Sequence, residues 1–188
     1  DILYKLQMND ADSAEAAQAA QRIKSQRPGM GEYYLGLVSQ AQKKNAEAIA
    51  HFEAALNKAP GAADALSALV KARLAQGRTA EARTLLQASL QELSQAARTQ
   101  QASADFQFAR AAAQSLLGDV YQALAARETA PRLERLRDWQ SAKQWYVRAV
   151  SGFPAGFADA AAQARADETA IQRCDEEIAR AQQPAGTA

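Results

Sequence analysis

Residues 31–60 read GEYYLGLVSQAQKKNAEAIAHFEAALNKAP, and the spacing of their apolar side chains predicts two short helices joined by a turn. Tyr34, Leu35, Val38 and Ala41 recur at helical spacing. Lys43, Lys44 and Asn45 interrupt the run before Ala48, Ile49, Phe52, Ala55 and Leu56 resume it. Asn45 is expected to cap the second helix by accepting a backbone N–H from its first turn. Glu47 adds negative charge at the same positive helix end, and Pro60 stops the helix.

The pattern recurs on both sides. Ser13-Ala14-Glu15-Ala16, Asn45-Ala46-Glu47-Ala48 and Thr79-Ala80-Glu81-Ala82 share one order, at spacings of 32 and 34 residues. Pro28 to Pro60 and Leu3 to Leu35 keep the spacing of 32, and Leu35 to Leu69 that of 34. Helix-turn-helix units with a period of about 34 are those of the tetratricopeptide repeat. Leu35-Gly36, Ala48, Phe52, Ala55 and Pro60 resemble that family's pattern of small and large packing residues. The resemblance implies an all-α fold, an α-solenoid of antiparallel helix pairs, whose work is to bind other proteins. The first three units are also similar to bacterial repeat proteins of envelope assembly, secretion or polysaccharide export.

Read in order, the expected units are residues 1–28, 29–60, 61–98 and 104–154, followed by a capping helix over 157–182 and a flexible tail over 183–188. The chain opens at Asp1 inside what reads as a first helix, so a fragment or processed form is expected. Asn9, Asp10 and Asp12 are assigned to a turn. The polar stretch after Leu93 is expected to extend the third unit's second helix. In the fourth unit, Leu117-Gly118 and Tyr121 resemble a first helix, but Ala142 follows Gly118 by 24 residues where Ala48 follows Gly36 by 12. The sequence RETAPRLERLRDW at 127–139 is the insertion. A solenoid leaves its last apolar face uncovered, and a terminal helix with a stripe of Phe157, Ala161, Ala164, Ile171, Cys174 and Ile178 would cover it.

Composition fits. The chain is 48% hydrophobic but only 6% aromatic, which suits closely approaching Ala-rich helices. No apolar run nears the roughly 20 residues of a membrane-spanning helix. A net charge of +1 gives no strong field for nucleic acid or an anionic membrane. Cys174 is the only cysteine and cannot form an internal disulfide, leaving the compartment open between cytoplasm and periplasm or cell envelope.

Chemistry is sparse. His51 is the only histidine, so histidine metal sites and Ser-His-Asp triads would all pass through it. It reads as a partly exposed helix residue, and Cys174 as a buried structural one. Asp175, Glu176 and Glu177 are consecutive and point around different sides of a helix. No glycine-rich phosphate loop occurs. Hence no metal, no cofactor and no enzymatic activity are expected. Arg127, Arg132, Arg135, Arg137, Lys143 and Arg148 are interleaved with Glu128, Glu134 and Asp138, as on a salt-bridged surface helix. Trp139 and Trp145 are six residues apart and cannot share one helix face.

In the family resembled, the first helix of each unit lines a concave binding face. The corresponding residues are Tyr33, Leu37 and Gln40 in the second unit, Ser67, Lys71 and Leu74 in the third, and Ser115, Asp119 and Gln122 in the fourth. Lys5 and Met8 hold these places in the first. Leu37 and Asp64 stand where carboxylate-gripping members carry polar or basic groups, which argues against a chaperone tail as ligand. A protein or peptide segment is the expected partner. Self-association through exposed repeat faces is the alternative.

Overall fold

A computed structural model describes residues 10–59, 62–99, 103–156 and 158–183. Among them are eight α-helices and no strand. They fall into two compact units that divide after Gln76. The first holds α1 (Asp10–Gln26), α2 (Pro28–Ala41), α3 (Asn45–Lys58) and α4 (Ala63–Ala75). The second holds α5 (Thr79–Thr99), α6 (Ala104–Ala125), α7 (Arg132–Gly152) and α8 (Ala158–Gln182). Lys5, Met8, Phe157 and the expected tail beyond Gln183 lie outside the described residues.

In the first unit α2 packs between α1 and α3, and α4 packs on α3. The α2–α3 joint is made by Gly36 under the Phe52 ring. Phe52 is fully buried, with Leu35, Val38, Ala48, Ile49 and Ala55 around the same seam. A Cβ on Gly36 would come within 2.4 Å of that ring, so only glycine admits the approach. On the other side, Ala16 and Val38 form a small core with Ala17, Ala19, Ile23 and Tyr34. Leu66, Leu69 and Val70 are the buried side chains of α4.

The turn after α2 closes without a glycine. Lys44 N–H donates to Ser39 O at 2.8 Å and Lys43 N–H to Gln40 O at 2.9 Å, the paired bonds of a Schellman ending. Lys43 occupies the left-handed position with φ 60°. Gly77 takes that conformation after α4, with φ 71°.

The helix starts differ from the sequence expectation. Asn45 is already helical: Lys44 is the N-cap residue, and no side chain caps α3. Ala48 N–H donates to Lys44 O and Ala82 N–H to Arg78 O, so the starts of α3 and α5 share one register, set one residue earlier than assumed. Asp10, Asp12 and Ser13 lie inside α1 rather than in a turn or at a cap. Good helix formers follow that site without a Gly or Pro, so nothing there stops a helix. A side-chain cap does form at α6, where Ser103 Oγ accepts from Phe106 N–H.

In the second unit α5 does run on through Thr99. The insertion, however, is mostly helix. Only residues 126–131 separate α6 from α7, because RLERLRDW contains no breaker once Pro131 has set the start. The joint of the pair repeats the first unit's: Gly118 lies under Tyr146, where a Cβ would again fall 2.4 Å from the ring. Measured from this joint, the hairpin is twelve residues longer than α2–α3, by two at the end of α6, three in the loop and seven at the start of α7. Helix α8 packs along α7 and touches α6. Trp139, Ala142, Tyr146 and Cys174 form the buried core there, with Ile171 and Ile178 against it. The stripe of α8 is corrected at one place: Ala161 is exposed, and Ala160 and Asp167 are buried instead. No described helix is long and apolar enough to cross a membrane.

Candidate functional site

The three candidates on α2 differ in exposure. Tyr33 and Leu37 are half-buried and Gln40 is exposed. The Tyr33 ring lies 5.4 Å from Tyr34 and 6.1 Å from Phe52, so it rests on the core it partly covers. Burial raises the Tyr33 phenol above its usual range, and the charge of Asp64 raises it further. On α4, Ser67 and Leu74 are half-buried and Lys71 is exposed. Thus Tyr33, Leu37 and Lys71 offer an aromatic edge, an aliphatic side chain and a cation within the first unit.

Asp119 and Gln122 are placed otherwise. The Tyr146 hydroxyl donates to Asp119 Oδ1 at 2.8 Å and lies 3.2 Å from Gln122 Oε1. That side of α6 is therefore turned toward its partner helix α7 rather than away from it. Ser115, one turn earlier, is buried and donates to Asp167 Oδ1 at 2.7 Å. The phenol of Tyr146 is raised strongly, first by burial and then by Asp119.

Two polar sites escaped the sequence reading. Glu32 is only 5% exposed on α2. It accepts from Lys58 Nζ at 2.8 Å, Lys24 Nζ at 2.9 Å and His51 Nδ1 at 2.9 Å. Burial by itself would raise its carboxyl, but these bonds prevail and hold it at about 2. So His51 joins an ionic tie between α1, α2 and α3. Asp167, 2% exposed, accepts from Ser115 and, at 3.1 Å, from Gln163, while its second oxygen Oδ2 is buried with no hydrogen-bond partner. Burial, reinforced by Asp119, raises its carboxyl despite those two bonds. The sequence did hold a signal for it: Ala160, Asp167 and Cys174 are seven apart, on one helix face. Burial pushes the Cys174 thiol up to about 11.

The basic set around α7 is largely engaged. Arg127 meets Glu134 at 3.4 Å, Lys143 meets Asp175 at 2.5 Å, and the Arg148 guanidinium lies 4.7 Å from the centre of the Trp145 ring. Trp139 is buried and Trp145 half-buried, on different faces as their spacing requires. Among the described residues, no group of three or more His, Cys, Asp or Glu is placed to hold a metal ion.

Two helix pairs thus repeat one joint, a glycine under an aromatic ring sixteen residues on in the first and twenty-eight in the second. Residues 39–104, from the end of α2 to the start of α6, match the tetratricopeptide repeat family. These residues are tetratricopeptide repeats. No curated protein matches the chain. Tetratricopeptide repeats generally mediate protein–protein interactions, and here Gly36 and Phe52 are packing residues.

Proposed function

We propose that this tetratricopeptide repeat protein is an interaction scaffold that holds a segment of a protein partner across α2 and α4. An apolar side chain of the partner packs on Tyr33 and Leu37, and an acidic group reaches Lys71. The observation that carries this reading is that Tyr33 and Leu37 on α2 are only half-buried and Lys71 on α4 of the same compact unit is exposed. Lys71 is exposed and makes no ion pair with another described residue. Burial of aromatic and aliphatic surface supplies most of the energy, and the cation supplies orientation. The role is binding rather than catalysis. In support, Glu32, Tyr146 and Cys174, whose protonation is strongly displaced, are all buried between helices. The likeness of the first units to bacterial proteins of envelope assembly, secretion or polysaccharide export proposes where such a partner would be found.

Affinity capture with the intact chain tests this. Lys71→Glu and Leu37→Asp should each weaken capture of the main partner while Gln183→Ala does not. If both variants capture normally, the α2–α4 face is not the site. If the chain captures only itself, with a mass that grows with concentration, self-assembly replaces the scaffold reading.

A further inference from the structure

We infer that the lengthened start of α7 forms a second binding site, a pocket for the carboxylate of an acidic side chain on a protein partner. The pocket has a volume of about 230 Å³ and is lined by Arg132, Arg135 and Trp139 of α7 and by Glu177, Arg180 and Ala181 of α8. Arg132 and Arg135 belong to the extra turns that the α2–α3 pair lacks, and the Gly118–Tyr146 joint does not involve them.

Part of their donor capacity is structural. Arg132 Nε donates to Ala181 O at 2.8 Å, and its Nη2 also reaches Ala181 O and Gln183 O, closing the end of α8. Arg135 Nε donates to Ala125 O at 3.0 Å, at the end of α6. A guanidinium carries five N–H donors in a planar fork. Arg132 therefore keeps Nη1, and Arg135 both terminal nitrogens, for a ligand.

The charge balance selects the ligand class. Arg180 is matched by Glu177 at 2.6 Å. Each helix end contributes roughly half a negative charge, so the two ends together offset about one of the two remaining cations. About one positive charge is left, which suits a monoanion better than a phosphate dianion. The planar fork matches a carboxylate in two-point contact. Buried Trp139 provides an apolar wall for the methylenes that carry that carboxylate. Glu177 is a resident competitor within the same pocket. This site is independent of the α2–α4 face, and neither reading requires the other.

Trp139 reports on the pocket, and Trp145→Phe removes the only other tryptophan. In that background, a six-residue Glu peptide with acetylated and amidated ends should change Trp139 fluorescence saturably. The corresponding Gln peptide should not. Arg135→Gln should weaken the Glu peptide about tenfold or more, as expected for loss of a charge-assisted pair, and Glu177→Gln should tighten it. A melting curve for each variant identifies any that fails to fold. If Arg135→Gln is such a variant, Glu177→Gln decides, and unchanged affinity overturns the site. No saturable response to the Glu peptide, an equal response to the Gln peptide, or tighter binding of inorganic phosphate would each overturn it too.

Discussion

Gly118 and Tyr146 are in such close register that a single added methyl would fall 2.4 Å from the ring, against a fully buried side chain that has no room to retreat. Alanine inside a helix normally gains up to about 1 kcal/mol over glycine. Overpacking a rigid aromatic costs about 1–3 kcal/mol. Gly118→Ala should therefore destabilise the protein by about 1 kcal/mol in chemical denaturation. A rise in the midpoint would mean that the helices stand farther apart.

The turn after α2 gives a prediction of the opposite sign. Lys43 holds φ 60° with a side chain that disfavours it. Lys43→Gly should stabilise by about 1 kcal/mol, the usual cost of the left-handed conformation. Asn45→Ala should stay within about 0.5 kcal/mol, since Asn45 caps nothing. A loss of stability at Asn45 matching that of a true cap would restore the capping role.

Glu32 makes the first unit sensitive to acid. Its folded carboxyl sits at about 2 against an ordinary 4.5. A lowered carboxylate stabilises above its unfolded value and loses that contribution as pH falls, here from 4.5 toward 2. The contribution is on the order of 3 kcal/mol. Amide exchange in α1 to α3 should quicken over that window, and Glu32→Gln should start less stable and show little further change.

Asp167 imposes the reverse slope on the second unit. Its folded carboxyl is raised above the ordinary 3.8, so its contribution is full below 3.8 and is lost as pH rises through the folded value. Asp119 on α6 adds its negative charge, and among the described residues Ser115 and Gln163 are the side chains bonded to Asp167. Amide protection of α8 should decline across that rise, and Asp167→Asn should flatten the profile. An unchanged profile in that variant would assign the pH dependence elsewhere.

The helical period, the repeat spacing and the packing anchors Gly36, Phe52, Ala48 and Ala55 were all legible in the sequence, because each depends on neighbours within one unit. Helix starts were less so. A cap is decided by one backbone dihedral, and Lys44 takes the place that Asn45 seemed chemically suited to fill. Tyr33, Leu37 and Lys71 are half-buried or exposed, whereas Asp119 and Gln122 face α7. Which side of α6 faces α7 depends on Tyr146, twenty-seven residues beyond Asp119. Glu32 was hidden for the same reason: its three hydrogen-bond donors, Lys24, His51 and Lys58, come from separate stretches of chain.

Seven of the twelve added residues lie at the start of α7. Seven is close to two complete turns at 3.6 residues each, so the addition leaves the angular phase of the helix almost unchanged, and Trp139 falls in line with Tyr146. Arm length in this hairpin is consequently quantised. Adding seven residues between Trp139 and Tyr146 would keep the two rings on one helix face, whereas adding two or five would turn Trp139 away from the seam. Reach beyond the joint can vary in such steps while the joint itself stays fixed.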